Sequence, residues 1–280
     1  MHDADNTTTL PGTLARAEGR PASGDVAVDE AYAHLGATYK LFWDIYKRHS
    51  IDGHGLPLVG TVHYGEDYDN AFWNGAQMVF GDGDGEVFNR FTIAVDIIGH
   101  ELTHGVIDSE AGLLYQGQSG ALNESLCDVF GALVKQYALG QTARQADWLV
   151  GAGLFTEKVS ARGLRSMAEP GSAYDDPLLG KDPQPGHMRD YADTPRDNGG
   201  VHINSGIPNR AFFLAATTLD GPAWKGAGQV WYDTLCDKRL RHDADFKAFA
   251  ALTLTVAAER HGAAVQKAIG QAWAAVGVLS

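Results

Sequence analysis

The sequence predicts an α+β protein, with a strand-rich N-terminal lobe followed by a mainly helical C-terminal lobe. Two short apolar runs, LVGTVHY at 58–64 and AQMVF at 76–80, lie beside glycines and are typical of strands. From residue 92 onward, apolar residues instead recur at the three- and four-residue spacing of helices. We therefore expect lobes at 1–113 and 114–280, with the change between them falling within 108–118.

The helices can be placed in order along the chain. The first is predicted from Asp29 to about Arg48, where apolar residues repeat at helical spacing. Two further apolar stripes cover 93–106 and 122–133, and later helices fit 206–219, 226–239, 245–260 and 262–276. Between them, the segment 160–200 is dense in Pro, Gly and Asp. A connection of that length is more often functional than idle.

Composition argues against several classes of protein. The chain has 280 residues, 44% hydrophobic and 20% charged, which is typical of a globular fold. Its 35 acidic and 22 basic side chains give a net charge of −13, which argues against a nucleic-acid partner. No run approaches the roughly 18 apolar residues of a membrane span, and the polar first thirty residues predict no signal peptide. Cys127 and Cys236 could form one bridge or stay free.

The sharpest feature is the motif His100-Glu101-Leu102-Thr103-His104. On a helix, residues four apart face the same way, so two imidazoles could present nitrogens to one ion with a good fit to zinc. Glu101 could then reach a water at the metal without ligating the metal. The motif could also arise by chance, which produces it in roughly 1–2% of such chains, or it could consist of two ordinary histidines on a half-buried helix.

A second group of polar residues, Asn123, Glu124 and Asp128, lies on the next predicted helix. Glu124 stands between Leu122 and Leu126, where an unpaired carboxylate would be expensive to bury, so a zinc ligand is one good reason for its position. Asp128, one turn further on, could accept a hydrogen bond from the second nitrogen of a ligand histidine. The alternative is that Glu124 and Asp128 point to water.

Together with further segments, these residues resemble a known family. The segments are YDNAFWNGAQMVFGDGDG (68–85), AGLLYQGQSGALNES (111–125), LRSM (164–167) and DNGGVHINSG (197–206). In this order, and with the histidine motif, they resemble the thermolysin-like zinc metalloendopeptidases over nearly the whole chain. The N-terminal part around TLPGTLARAEG (9–19) looks closest to the protealysin-like branch.

The resemblance implies a zinc helix and an active-site cleft between the two lobes. His100, His104 and Glu124 would bind one Zn²⁺, and Asn123 and Asp128 would support these ligands. Glu101 would act as general base towards a zinc-activated water. Tyr115 and His202 would donate hydrogen bonds to the oxyanion, with Asp197 orienting His202 and favouring its protonated form. From the residues alone, Tyr115 would be assigned to the core and His202 to a loop.

The resemblance also implies how a substrate would be held. Asn70 and Ala71 would form the edge along which an extended peptide lies, and Arg165 would bind a substrate carbonyl. Without the resemblance, Arg165 is a surface charge and Asn70 a turn residue. An apolar pocket beyond the cleaved bond, which implies cleavage before bulky hydrophobic residues, would be formed by Phe88, Phe91, Ile97 and Leu164.

The chain departs from the family at its calcium sites. Asp96 and Asp147 remain, but the positions of their expected partners hold Lys135, Leu149 and Ala152, and Arg162 replaces another calcium-linked acid. Our hypothesis is that the ammonium of Lys135 takes the place of calcium between the two aspartates. The run GDGDGE (81–86) lacks the full pattern of a calcium loop, so we predict a tight turn.

The sequence therefore predicts a secreted-type, zinc-dependent neutral endopeptidase whose partners are protein or peptide substrates. The resemblance implies that the precursor carries an inhibitory prosegment, which we expect to be absent from this chain. Two alternatives remain: a catalytically silent interaction module on the same fold, and a zinc hydrolase that acts on small amides or esters. The intact Glu101, Tyr115 and His202 argue against the first, and Arg165 and Asn70 suit a peptide better than a small amide.

Overall fold

The computed structural model describes residues 1–279. Its N-terminal part contains a five-stranded sheet in the order β2-β1-β3-β5-β4. The strands are β1 (His2–Asp3), β2 (Thr13–Leu14), β3 (Gly60–Val62), β4 (Ala71–Trp73) and β5 (Met78–Phe80). β1, β3 and β5 run parallel, while β2 and β4 are antiparallel to their neighbours. The two predicted strands are confirmed as β3 and β5, and β4 is left at an edge of the sheet.

The first helix, α1, spans Val26–Tyr46 and starts three residues earlier than predicted. It starts there because the Asp25 side chain accepts a hydrogen bond from the backbone N–H of Val28 at 2.9 Å, which caps the first turn. It ends where Lys47 adopts a left-handed conformation, with φ of 56°. The prediction began at Asp29 because it used only the apolar stripe, and the capping residue Asp25 lies before that stripe.

The next two helices, α2 (Val95–Ser109) and α3 (Gly117–Leu139), pack closely against each other and carry the two predicted apolar stripes. Their close approach requires glycine, because a Cβ on Gly131 would lie 2.3 Å from the backbone oxygen of Asp96. This contact brings the face of α3 that carries Glu124 and Asp128 against the histidine motif of α2.

The rest of the chain is mainly helical, which confirms the predicted fold class. Its helices are α4 (Asp197–Asn204), α5 (Gly206–Leu219), α6 (Ala227–Leu235), α7 (Phe246–Arg260) and α8 (Ala263–Ala275). The prediction of 226–239 extended past the end of α6 at Leu235, where Asp237 accepts from the backbone N–H of Arg239 and closes a turn. α4 was not predicted, because its first residues adopt positive φ angles and carry no helical pattern.

The long segment before α4 is built from short ladders and turns. It contains the antiparallel pair β6 (Leu149–Val150) and β7 (Arg165–Ser166), and then the hairpin β8 (Asp175–Asp176) and β9 (Gly180–Lys181). A short 3₁₀ turn at Met188–Asp190 follows the hairpin, and another, outside this segment, lies at Phe91–Ile93 before α2. The segment is therefore ordered around its own hydrogen bonds, although it holds little regular structure.

One continuous apolar core joins the two halves of the molecule. Tyr46 of α1 stacks on Tyr232 of α6 with ring centroids 4.4 Å apart, and its hydroxyl donates to the backbone oxygen of Trp224. Cys127 and Cys236 are both free. Within residues 1–279, no helix combines the length and the apolar character that crossing a membrane requires.

Candidate active site

The two histidines of the motif and Glu124 lie together at the contact between α2 and α3. His100 Nε2 lies 3.5 Å from Glu124 Oε2, and His104 Nε2 lies 3.6 Å from Glu124 Oε1. His100 and Glu124 are buried, at 4% and 1% exposure. The structure thus brings together side chains from two helices that are separate in the sequence.

Glu124 carries the strongest indication of a cation at this point. Among the described residues, its buried Oε2 atom has no hydrogen-bond partner. Burial acts to raise the pKa of Glu124, but the neighbouring His100 and His104 outweigh it and keep that pKa below its usual value. An ionised, buried carboxylate whose two oxygens lie 3.5 Å and 3.6 Å from imidazole nitrogens of His100 and His104 forms with those nitrogens a donor set that zinc binds. The residues present therefore fit a zinc ion.

Cys127 is an alternative third ligand on geometric grounds, since its sulfur lies within 4.8 Å of ring nitrogens of His100 and His104. Burial raises the pKa of this thiol well above its usual value, which makes loss of its proton costly. It contacts Asn123 Oδ1 at 3.7 Å as a weak donor. Glu124 is the better candidate, because its carboxylate is already ionised and its buried Oε2 atom has no hydrogen-bond partner among the described residues.

Each histidine is held through its other ring nitrogen. His100 Nδ1 donates to Asp128 Oδ1 and His104 Nδ1 donates to Asn123 Oδ1, both at 2.8 Å. Donation from Nδ1 leaves the Nε2 lone pair of each ring directed towards Glu124. This arrangement fixes the tautomer that a metal requires.

Asp128 is the centre of a larger network. It is fully buried and also accepts from Arg165 Nε at 2.7 Å, from Arg165 Nη2 at 2.6 Å and from Asn209 Nδ2 at 2.8 Å. Although burial acts to raise its pKa, Arg165 and His100 hold the pKa of Asp128 far below its usual range. Arg165 is thus not a free surface charge. Asn209 was not predicted from the sequence, because its place on α5 carries no local signal.

Tyr115 and His202, 87 positions apart, meet at the open side of the same carboxylate. The hydroxyl of Tyr115 donates to Glu124 Oε1 and lies 3.2 Å from His202 Nε2. His202 Nδ1 donates to Asp197 Oδ1 at 2.6 Å, and its backbone N–H donates to Asp197 Oδ2 at 2.8 Å. Tyr115 is 40% exposed, so the structure places it at the site and not in the core.

Glu101, within the histidine motif, lies beside the edge strand β4. Burial raises its pKa against the opposing effect of His100 and His104, and the backbone N–H of Trp73 in β4 acts in the same direction as the histidines. Its side chain is only partly exposed. A carboxyl group with a raised pKa holds a proton more readily than an ordinary one, which suits a group that accepts a proton and then passes it on.

The candidate substrate residues surround this site unevenly. Asn70 is exposed and precedes β4, which begins at Ala71 and has a free edge. A cavity of about 250 Å³ is lined by Phe88, Leu164, Arg165 and His202, together with residues that were not predicted from the sequence: Phe155, Tyr174, Leu179, Asp182, Pro183, Gln184 and Ile203.

Phe91 and Ile97 are not among the residues that line this cavity. Both belong to the core at 5% exposure, and the ring of Phe91 packs against that of Phe88 with centroids 5.5 Å apart. A larger surface cavity of about 850 Å³, beside Arg144, Asp147 and Phe213, contains none of the side chains assigned to chemistry. We therefore place the candidate cleft at the smaller cavity, because Arg165 and His202 line it.

Lys135 occupies the position between Asp96 and Asp147. Its Nζ lies 3.4 Å from Asp96 Oδ2 and 2.9 Å from Asp147 Oδ2, and it donates to the backbone oxygen of Leu149 at 3.2 Å. Ala152 contributes no side-chain oxygen, and Arg162 donates to Ser172. The ammonium group of Lys135 thus lies between the two aspartates, at the place where we expected it to substitute for calcium.

The run GDGDGE forms a turn, as predicted. The side chain of Asp84 accepts from the backbone N–H groups of Glu86, Val87 and Phe88. These bonds occupy the Oδ1 atom of the carboxylate. The backbone N–H groups that follow Asp84 therefore hold the chain in this turn.

Comparisons with known proteins agree with this geometry. The family model of the thermolysin metallopeptidase catalytic domain matches residues 1–108, and that of the thermolysin metallopeptidase alpha-helical domain matches residues 111–278. The chain is 63% identical over 278 residues to an extracellular metalloprotease of Pectobacterium carotovorum subsp. carotovorum, covering 99% of this chain and 80% of that protein. It is 56% identical over 280 residues to protease PrtS of Photorhabdus sp. (strain Az29), covering 99% and 76%.

A solved structure is similar over nearly the whole chain. The precursor of protealysin, a metalloproteinase from Serratia proteamaculans, superposes with a TM-score of 0.98 at 63% sequence identity. The match covers 99% of this chain and 86% of that one.

Proposed function

The chain belongs to the thermolysin family of metallopeptidases and is a peptide-bond hydrolase, and on that premise we propose that it cleaves before bulky hydrophobic residues, with Glu101 as general base. The observation that carries the proposal is the buried Glu124 carboxylate, whose Oε2 atom lies 3.5 Å from His100 Nε2 and has no hydrogen-bond partner among the described residues, while its Oε1 atom lies 3.6 Å from His104 Nε2. His100, His104 and Glu124 would hold the zinc ion. Zinc, when bound, polarises a carbonyl and makes water acidic enough to lose a proton near neutral pH.

Glu101 would remove the proton from the attacking water and pass it to the departing amine. Its pKa is raised, which lessens the difference between that pKa and the pH at which the enzyme works. Such a group can both accept a proton from water and donate it to the amine. Its place beside β4 puts it next to the strand along which the peptide would lie. General acid–base catalysis of this kind is worth about 10²–10⁴ in rate.

Tyr115 and His202 would stabilise the oxyanion. Their polar atoms lie 3.2 Å apart on the same side of Glu124, so one developing charge could interact with both. The two bonds to Asp197 hold the ring of His202 in place before substrate arrives. Such preorganisation reduces the reorganisation that the reaction would otherwise require.

The substrate would be held from both sides of the cleft. The free edge of β4, with Asn70 before it, allows an extended peptide to add as a further strand. Arg165 uses only Nε and Nη2 for Asp128, so its Nη1 group is left to donate to a substrate carbonyl. Phe88 and Leu164 supply apolar surface next to it.

Three features of the wider protein belong to the same proposal. We place the boundary between lobes at 113/114, close to the division between the two family models. A similar relative is named extracellular, so we propose that this protease is secreted. The similar solved structure is a precursor, so we expect an inhibitory prosegment in the precursor of this protease as well.

The test is cleavage of an internally quenched peptide with a hydrophobic residue after the target bond. The zinc-loaded protein is compared with its Glu101→Gln variant, whose zinc content serves as the control. We expect a loss of at least about a hundredfold in kcat/KM at unchanged zinc content. Equal rates in both proteins would contradict the role of Glu101.

The alternatives are separated by the same assay. No cleavage by either protein at one bound zinc per chain would favour the silent interaction module. Faster turnover of small amides and esters than of the peptide would favour the other class of zinc hydrolase.

A further inference from the structure

We propose that the hairpin β8–β9 forms a wall of the substrate cleft and that Leu179 determines which side chain is accepted after the cleaved bond. The proposal rests on the proposed endopeptidase function and adds a specificity determinant to it. Its observations are the cavity of about 250 Å³ and the opposite exposures of two neighbouring leucines at the tip of the hairpin.

The lining of the cavity is mainly apolar. Phe88 and Phe155, whose ring centroids are 5.0 Å apart, line it together with Leu164. The hairpin segment adds Tyr174 and Leu179 to the lining. The ring of Tyr174 lies next to that of Phe155, with centroids 6.3 Å apart, so the hairpin segment continues the apolar surface of Phe88 and Phe155.

The hairpin is held in place by two buried carboxylates. Asp176 accepts from the backbone N–H groups of Leu178 at 2.8 Å, Leu179 at 3.3 Å and Ser160 at 2.8 Å. Asp182 accepts from the backbone N–H groups of Gly171, Ala173 and Gln184 at 3.0–3.1 Å. These bonds fix the backbone on both sides of Leu179. The wall is therefore formed before a substrate binds.

The two leucines at the tip differ in direction. Leu178 is 70% exposed and does not line the cavity, whereas Leu179 is partly buried and does. They share the same turn, the same backbone bonds to Asp176 and the same side chain. Substitutions at 178 and 179 can therefore be compared directly, with position 178 as the matched control.

The cavity opens beside the groups assigned to catalysis. Arg165 and His202 line it, and these are the residues proposed to contact a substrate carbonyl and the oxyanion. The charge of Arg165 is paired with Asp128, and both oxygens of Asp182 accept backbone bonds. With both charges satisfied, the site should favour large aliphatic or aromatic side chains over charged ones.

The experiment measures kcat/KM for a set of quenched peptides that differ only at the first or the second residue after the cleaved bond, as Phe, Leu, Ala or Gly. For Leu179→Asp we expect a loss of about tenfold or more on the Phe and Leu peptides, and less than about threefold on the Ala peptide. Leu178→Asp should match the wild type on every peptide. Leu179→Trp, which fills the cavity, should lower cleavage of the Phe peptides while the Ala peptides are retained.

Several outcomes would overturn the proposal. They are equal losses for both aspartate variants, a loss at Leu179→Asp that is the same for all peptides, or a response confined to residues before the cleaved bond. If Leu179→Asp fails to fold, the Phe-to-Ala ratio of Leu179→Trp decides alone. Failure of the wild type to cleave any peptide would instead refute the endopeptidase function.

Discussion

Replacing Lys135 by Met should destabilise the protein strongly, because it removes the cation that compensates the buried carboxylate of Asp96. Asp96 is 2% exposed, and its Oδ2 atom has no hydrogen-bond partner in the described part of the chain. The ammonium of Lys135, 3.4 Å away and itself 14% exposed, lies close enough to balance that charge. Met keeps most of the length and the apolar stem of Lys, so the substitution removes charge with little change in packing.

The magnitude follows from the burial of the pair. Removing one partner of a buried ion pair costs about 3–5 kcal/mol. The second carboxylate, Asp147, is 46% exposed and loses little. We therefore expect the free energy of unfolding to fall by about 3 kcal/mol, which for a chain of this size lowers Tm by about 6–12 °C.

The effect should depend on pH. Burial raises the pKa of Asp96 above its usual value, and Lys135 opposes that rise. A raised pKa means that the folded state favours the protonated form of Asp96. The contribution of Asp96 to the free energy of unfolding is therefore lost as the pH rises above about 4, the pKa of an aspartate in the unfolded chain. Without Lys135 the pKa rises further, so the loss in Tm should be largest above neutral pH and smaller in mildly acidic buffer.

The assay is thermal unfolding monitored by circular dichroism, with two controls. Lys158→Met removes an exposed pair with Glu86, at 58% and 72% exposure, and should cost less than about 1 kcal/mol. Adding Asp96→Asn to Lys135→Met removes both buried charges and should restore part of the loss. Equal Tm values for the two lysine variants would refute the reasoning. So would a fall of many degrees in the wild type when calcium is chelated by an agent that spares zinc.

Three further substitutions test the site. Tyr115→Phe should retain zinc and lower kcat/KM about a hundredfold, because it removes a donor to the oxyanion; loss of zinc in this variant would show a structural role instead. Glu124→Gln should leave less than one zinc per chain after dialysis, measured by metal analysis, since the site loses its carboxylate ligand; full retention of zinc would indicate Cys127 as the third ligand. Asn209→Leu should lower the free energy of unfolding by about 1–3 kcal/mol, because Asp128 loses a buried donor; an unchanged Tm would show that this bond contributes nothing.

The elements that could be predicted from the sequence are those whose signal is local. The helical stripes of α2 and α3, the strands β3 and β5, and the spacing of His100 and His104 each depend on residues close together in the chain. Glu124 could be recognised because a carboxylate in an apolar stretch needs a partner. The positions of these features in the structure agree with the predictions to within a few residues.

The remaining features depend on contacts that no local pattern encodes. Tyr115 and His202 approach each other across 87 positions, and α4, which carries His202, begins with residues at positive φ that have no helical pattern. Asn209 reaches Asp128 across 81 positions. Leu179 lines the cavity while Leu178 does not, a difference set by the turn of the hairpin and the bonds to Asp176. Resemblance supplied the first pair, and only the structure supplied the other two.

The network around Asp128 has a consequence for how the histidine motif is supported. Its carboxylate, on α3, is satisfied by donors from α2, β7 and α5, and these elements are distributed over about 100 residues. The hydrogen bonds of Asp128 are therefore complete only when α2, β7 and α5 are all packed against α3. A substitution in β7 or α5, far along the chain from the histidine motif, can in this way weaken the support of His100 without touching the motif itself.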